Sequence, residues 1–422
     1  MKESLYLKRY SYQHQLIEVP PNDDLSLCIV IPCYNENTLI DSLKSINECN
    51  DISTSVEVIV IINDSIKESE EVLKQNTNTF VEATKWANEH NTYSKRFFIR
   101  HISKLGQKEA GVGYARKIGM DEAFRRFNAS GNDGFIVCFD ADSSCSKNYL
   151  EILEQHSTSS TMYGCSINFE HPLNGYDQEI ISGIINYELH LRYYINALKS
   201  ARYPYAHHTI GSSMAVRSSI YEKAGGMNKR KAGEDFYFLH KIIPYGNYKD
   251  IYECTIYPSP RVSTRVPFGT GRFMSGWVSG DTDEKSKSYS PKTFEELKVF
   301  FKQVPDYHRI NNIESLKENL PNAIREFLEQ DGFENQLNRI KKDTKTYEAF
   351  EKRFFQWFNG LKVLKFVHYS RDFHHPNLPL ESCCEWLFSN LFQSEKNSLD
   401  KHDWLEEMRI MDKRYSEKSW TE

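Results

Sequence analysis

Four short apolar runs, at residues 27–33, 56–62, 97–102 and 135–139, constrain this chain most. Each is too short for a typical helix and ends in polar or turn-forming residues. Apolarity without alternation means burial on both faces, as in parallel strands covered by helices. The intervening stretches have helical spacing. Leu39, Ile40, Leu43 and Ile46 share one face of a first helix, and residues 68–90 read as a longer one. Residues 106–127 run from a glycine-rich turn into a helix carrying Met120, Ala123, Phe124 and Phe127. This alternation predicts an α/β fold with a mostly parallel central sheet and helices on both faces.

The polar residues that close the runs carry the chemistry. Asp140 and Asp142 end the fourth run, and residues i and i+2 of an extended segment point to the same side. Open α/β sheets bind ligands outside the carboxyl ends of their strands. Two carboxylates there suit a hard divalent cation shared with phosphate oxygens, the usual setting of Mg²⁺. Taken alone, Asp-Ala-Asp reads more simply as a polar strand end entering a loop.

Beyond the fourth run the pattern becomes mixed. Residues 209–216 predict another strand, 218–224 a short helix stopped by Gly225-Gly226, and a further helix begins near Glu234. Residues 258–280 are rich in Pro and Gly and have the composition of an active-site loop or lid. A polar linker, 281–290, leads to charged amphipathic helices. The expected organisation is therefore an N-terminal extension at 1–24, a catalytic domain at 25–280 and a C-terminal helical module at 291–422. The first 18 residues contain no apolar core of the kind that makes a signal peptide. Nor does any stretch reach the ~18 apolar residues of a membrane span, so a cytoplasmic location is expected, with peripheral membrane contact at most.

Abundant aromatics, 25 Tyr, 25 Phe and 6 Trp, argue against disorder. A formal charge of −5 offers no general attraction to nucleic acid. Nine cysteines without C-x-x-C spacing read as reduced thiols, mostly core filler. The adjacent pairs His207-His208 and His374-His375 lack metal-site spacing. Lys341, Lys342, Lys345 and Arg353 near Phe354, Phe355 and Trp357 suggest either a membrane-facing helix or, more simply, a helix burying its aromatics.

Four motifs stand in chain order: Ile31-Pro-Cys-Tyr-Asn-Glu36, Asn63-Asp64-Ser65, Gly111-Val-Gly-Tyr-Ala-Arg-Lys-Ile-Gly119 before the aspartate pair, and Gly233-Glu-Asp-Phe236 after it. This ordered set resembles the family-2-type glycosyltransferases of the GT-A fold, over roughly residues 25–270. The resemblance implies a metal-dependent, inverting transfer of a hexose-type sugar from a nucleoside diphosphate, a UDP-sugar by default, to a hydroxyl acceptor. That acceptor would be a glycan, a lipid-linked molecule or a small molecule, and bacterial surface-glycan assembly is the commonest setting. Pro32, Tyr34, Asn35, Glu36, Asn63 and Asp64 would line the donor site; Lys108 and Arg116 would face the nucleotide. By the same likeness Asp142 binds Mn²⁺ or Mg²⁺, and Asp140 touches ribose or metal. Asp235, beside Glu234, takes the acceptor proton. Thr209, Ser212 and Ser213 would lie on the acceptor side.

Several of these residues have a plainer reading. Asn35 and Asp64 suit helix-capping turns, Arg116 can simply hold Asp140 or Asp142 in place, and acids favour any helix N-terminus. The chain also departs from the family pattern. Asn63 stands where an acid is common, and an amide offers a base edge a different donor and acceptor pattern. No Q-x-x-R-W is present, which argues against a processive polysaccharide synthase. No His lies between Lys241 and Tyr307 to reach the metal. Arg261 and Arg265, four apart in the Pro/Gly-rich loop, are the expected substitutes on the diphosphate. The competing expectations are a sugar-nucleotide nucleotidyltransferase and a silent scaffold with the same fold.

Overall fold

The computed structural model describes residues 4–107, 109–263, 269–309, 318–392 and 399–415. Lys108 and Arg265 lie outside them. The chain divides into two compact units, one comprising residues 1–175 and 209–272 and the other 176–208 and 273–422. The second unit thus takes in a segment from the middle of the sequence as well as the C-terminal helices.

The first unit is built on one eight-stranded sheet. Its strands are β1 (Leu25–Cys33), β2 (Ser55–Ser65), β3 (Lys95–Leu105), β4 (Phe135–Cys138), β5 (Ser144–Cys145), β6 (Gly164–Phe169), β7 (Met214–Arg217) and β8 (Tyr248–Tyr257), in the order β3-β2-β1-β4-β7-β6-β8-β5. β3, β2, β1 and β4 run parallel. β7 is antiparallel to both β4 and β6, and β6 is parallel to β8. β1 and β2 are buried along their whole length, which explains their unbroken apolar sequence. The fold is α/β with a mostly parallel sheet, as expected for the GT-A architecture; β7 at the centre and the short edge strand β5 are reversed.

These directions decide where the chemistry falls. The carboxyl ends of β1, β2, β4 and β8 open on one edge, and the antiparallel β7 begins there. Tyr34–Glu36, Asn63–Asp64, Asp140–Asp142, Gly211–Ser213 and Arg261 are therefore delivered to the same edge by topology.

The helix Val112–Ser130 packs on β1 and β2. At Gly119 an added Cβ would stand 2.4 Å from Val30 Cγ1, so only hydrogen fits. Buried charges on this helix are paired. Arg126 donates from Nε to Glu57 Oε2 at 2.7 Å, and Lys117 meets Asp121 at 2.9 Å. The segment before β1 fastens to the same helix. Tyr6 donates to Asp121 at 2.6 Å, and the backbone N–H groups of Leu16 and Ile17 donate to Glu122 at 3.2 and 3.1 Å. What reads as an N-terminal extension belongs to the first unit.

The second unit is helical. Its long helix Gln178–Ser200 buries Arg192, which donates to Glu188 at 2.8 Å and pairs with Asp412 at 2.5 Å; Arg409 adds a second cation on Glu188 at 2.9 Å. Phe300, Phe333, Phe354 and Phe358 form an aromatic cluster within the unit. Phe354 and Phe355 are buried, and the half-buried Trp357 stacks on Phe333. Among the described residues no helix is long and apolar enough to cross a membrane.

Candidate active site

Two arginines organise the acidic edge of the sheet. Arg116, on the first turns of the Val112–Ser130 helix, donates from Nη2 to Asp140 Oδ1 at 2.9 Å and from Nη1 to Glu234 Oε1. Arg261, just beyond β8, pairs through Nη2 with Asp142 Oδ2 at 2.7 Å and donates to both oxygens of Glu36, the Nη1 to Oε1 bond being 3.0 Å. Each guanidinium therefore joins a member of the Asp140–Asp142 pair to an acid from a distant part of the sequence. Forked donors suit this bidentate arrangement.

The cluster shifts the titration of its members. Glu36 loses water by burial, yet the donors from Arg261 and Thr38 outweigh that loss and hold its carboxyl down at about 2. Burial pushes Glu234 above the usual carboxylate range against the pull of Arg116, with Asp235 adding to the rise. Asp235 moves the same way, chiefly by burial, although Arg116 and the N–H groups of Phe236 and Gly211 resist it. Its Oδ1 accepts from Phe236 N at 2.7 Å. Burial opposes the charge on Arg116, but Glu234 and Asp140 keep it firmly protonated.

Two glycines make the close approach possible. A Cβ at Gly211 would lie 2.8 Å from Arg116 Nη1 and 2.9 Å from Asp235 Oδ2. A Cβ at Gly113 would meet the carbonyl oxygen of Arg230 at 1.9 Å, so the helix carrying Arg116 can sit against the loop that leads into Glu234. Gly211 was legible only as part of a strand start; its spatial role depends on a partner about 95 residues away in the chain.

The remaining expected residues divide into two sets. Pro32 is the penultimate residue of β1, and Tyr34 is half-buried. Asn35 has a positive φ of 48°, is exposed, and donates its backbone N–H to Asn76 Oδ1 at 2.8 Å. Asp64 is buried and its carboxylate is engaged by His101 Nε2 at 2.6 Å, Lys104 N at 3.1 Å and Asn76 Nδ2 at 3.4 Å. His101 and Asn76 carried no motif signal. Asn63 donates to the carbonyl of Gly111 at 3.1 Å, and its Oδ1 meets no partner among the described residues. Ser212 and Ser213 are buried at the start of β7. Thus Glu36, Arg116, Asp140, Asp142, Glu234, Asp235 and Arg261 come together, whereas Asp64 sits in a separate hydrogen-bonded set beside Asn63.

A mostly parallel sheet with β7 and β5 reversed and an acidic, arginine-braced carboxyl edge is the arrangement expected of the GT-A fold. Residues 28–225 match the model of Glycosyl transferase family 2. Comparison with curated protein sequences gave no match. Similar solved structures include TarS 1–349 of S. aureus in complex with UDP-GlcNAc, at 13% identity over 69% of this chain and 78% of that one, with a TM-score of 0.39. Another is the mannosyltransferase PcManGT from Pyrobaculum calidifontis in complex with GDP-Man and Mn²⁺, at 14% identity over 94% of this chain and 89% of that one, TM-score 0.36.

Proposed function

We propose that this chain transfers a sugar from a nucleoside-diphosphate donor to a hydroxyl acceptor by a single, inverting displacement. The observation that carries this reading is the linkage of Asp140 and Asp142 through Arg116 and Arg261 to Glu234 and Glu36, in one cluster at the strand ends. The same edge holds Asp235, whose carboxyl burial raises above the ordinary aspartate range, making it a stronger proton acceptor.

The residues fit a divalent cation. Asp140 and Asp142 offer hard oxygens with side chains 39% and 22% exposed, and each already holds a positive group on one oxygen. Mn²⁺ or Mg²⁺ bound there supplies Lewis-acid stabilisation of the charge that develops on the departing diphosphate. Arg261 lies beside that position and can donate to phosphate once it leaves Asp142. Arg116 keeps Asp140 oriented from below. Asp235 accepts the acceptor's hydroxyl proton as the oxygen attacks the anomeric carbon, and Glu234, neutralised by Arg116, fixes the helix start that presents it.

The test is donor turnover with a panel of nucleotide sugars, with and without Mn²⁺ or Mg²⁺, using the wild type, Asp142→Ala and Asp235→Asn. Cation-dependent donor hydrolysis or transfer that both variants lose supports the reading. Pyrophosphate release from sugar phosphate and a nucleoside triphosphate would instead mark a nucleotidyltransferase.

A further inference from the structure

Cys49 and Cys145, 96 residues apart in the chain, bring their sulfurs to 3.6 Å. Cys49 follows the helix Leu39–Asn47, and Cys145 lies in the two-residue edge strand β5, three positions after Asp142. Ser45 sits between them: its hydroxyl accepts from Cys145 N at 2.9 Å, and its carbonyl accepts from Cys49 Sγ at 3.4 Å. Of the nine cysteines, eight are buried and Cys145 alone is half-buried. It lines an open cleft of about 220 Å³ together with Asp41, Lys44, Ser45, Glu48 and Lys147. The rim charges are matched, Lys147 with Glu48 at 2.8 Å and Lys44 with Asp41 at 4.0 Å, so the cleft does not select by charge.

We propose that Cys49 and Cys145 form a reversible dithiol–disulfide site, oxidised through this cleft by a small-molecule disulfide. The inference is independent of the transferase reading. In the first step a thiolate of the pair attacks one sulfur of the small disulfide RSSR. The S–S bond breaks, and the leaving RS⁻ takes a proton to become RSH. In the second step the other cysteine, having lost its proton, attacks the protein sulfur of the mixed disulfide and expels a second RSH. Two protein thiols are oxidised and one RSSR is reduced to two RSH.

Three features support this chemistry. Closing the gap to a bond of about 2.05 Å needs an approach of only about 1.5 Å. β5 is an edge strand, paired by its two residues to β8 alone, and can supply that movement. The hydrogen bond between them draws the Cys49 thiol down and pushes the Cys145 thiol up, so Cys49 is placed to take the Cys145 proton as Cys145 attacks the disulfide in the cleft. The link would fasten the strand following the Asp140–Asp142 turn to the end of the Leu39–Asn47 helix.

The experiment exposes the reduced, folded full-length chain to oxidised glutathione, quenches with N-ethylmaleimide and maps the digest by mass. A peptide joining Cys49 to Cys145, lighter by two hydrogens and separated again by dithiothreitol, is expected before any other cysteine reacts. Cys49→Ser should stop at a stable glutathione adduct on Cys145, and Cys145→Ser should resist the reagent. The proposal is overturned if the wild type stops at a mixed adduct, links another pair first or leaves both residues open to alkylation. Should a variant fail to fold, the wild-type map decides alone.

Discussion

Arg261 Nη2 stands 2.7 Å from Asp142 Oδ2, so a guanidinium occupies one oxygen of the carboxylate proposed to hold the cation. The two positive charges compete for Asp142. Arg261→Ala should therefore bind Mn²⁺ alone more tightly, by roughly 10-fold or about 1.4 kcal/mol, while its donor KM rises because a phosphate ligand is gone. Calorimetric Mn²⁺ titration and donor kinetics check the two directions separately. Weaker cation binding together with an unchanged donor KM would remove Arg261 from the site.

Glu36 gives a pH signature. Its folded carboxyl lies at about 2, below the ordinary 4.5, so it favours the folded state above 4.5 and loses that contribution as pH falls toward 2. The shift corresponds to about 3 kcal/mol at most. Urea unfolding of the wild type should weaken between pH ~6 and ~3 more steeply than that of Glu36→Gln. Equal slopes would mean that the bond to Arg261 does not persist in solution.

Arg116 is 3% exposed and answers two acids. Removing one partner from a buried ionic cluster typically costs about 3–5 kcal/mol, and Arg116→Ala should fall in that range by denaturant unfolding. Arg116→Lys should lose less but not recover wild-type stability, because an ammonium cannot fork to both Asp140 and Glu234. A stability change below about 1 kcal/mol for Arg116→Ala would contradict the bracing role.

Asp235→Asn should retain donor and cation binding and lose turnover by about 10²–10⁴. In the wild type, the acid limb of kcat/KM should lie above the ordinary aspartate range, since burial raises the Asp235 carboxyl and it acts only when ionised. Normal turnover by the variant would assign the base elsewhere.

The strands were legible because burial on both faces leaves an unbroken apolar trace, as in β1 and β2. The acids at their ends were legible because strand direction places them at one edge. The bracing was less so. Arg116 read equally as a nucleotide ligand or as a partner of the acids, and only the fold brings it onto both Asp140 and Glu234. His101 and Asn76 carry no local pattern; they reach Asp64 from another strand and a helix. The grouping of 176–208 with the C-terminal helices was hidden for a similar reason. Arg192 belongs to no motif, and its buried partners Glu188 and Asp412 come from its own helix and from the C-terminal helix.

The most direct test of the central claim is a thermal-shift titration with UDP- and GDP-sugars in the presence and absence of Mn²⁺, run side by side on the wild type and Asp142→Ala. A ligand at 100 times its Kd should stabilise the native fold by about 2.7 kcal/mol. The predicted result is a shift that needs nucleotide sugar and cation together and disappears in Asp142→Ala. No shift with any donor, or one that survives loss of the Asp142 carboxylate, would contradict the account.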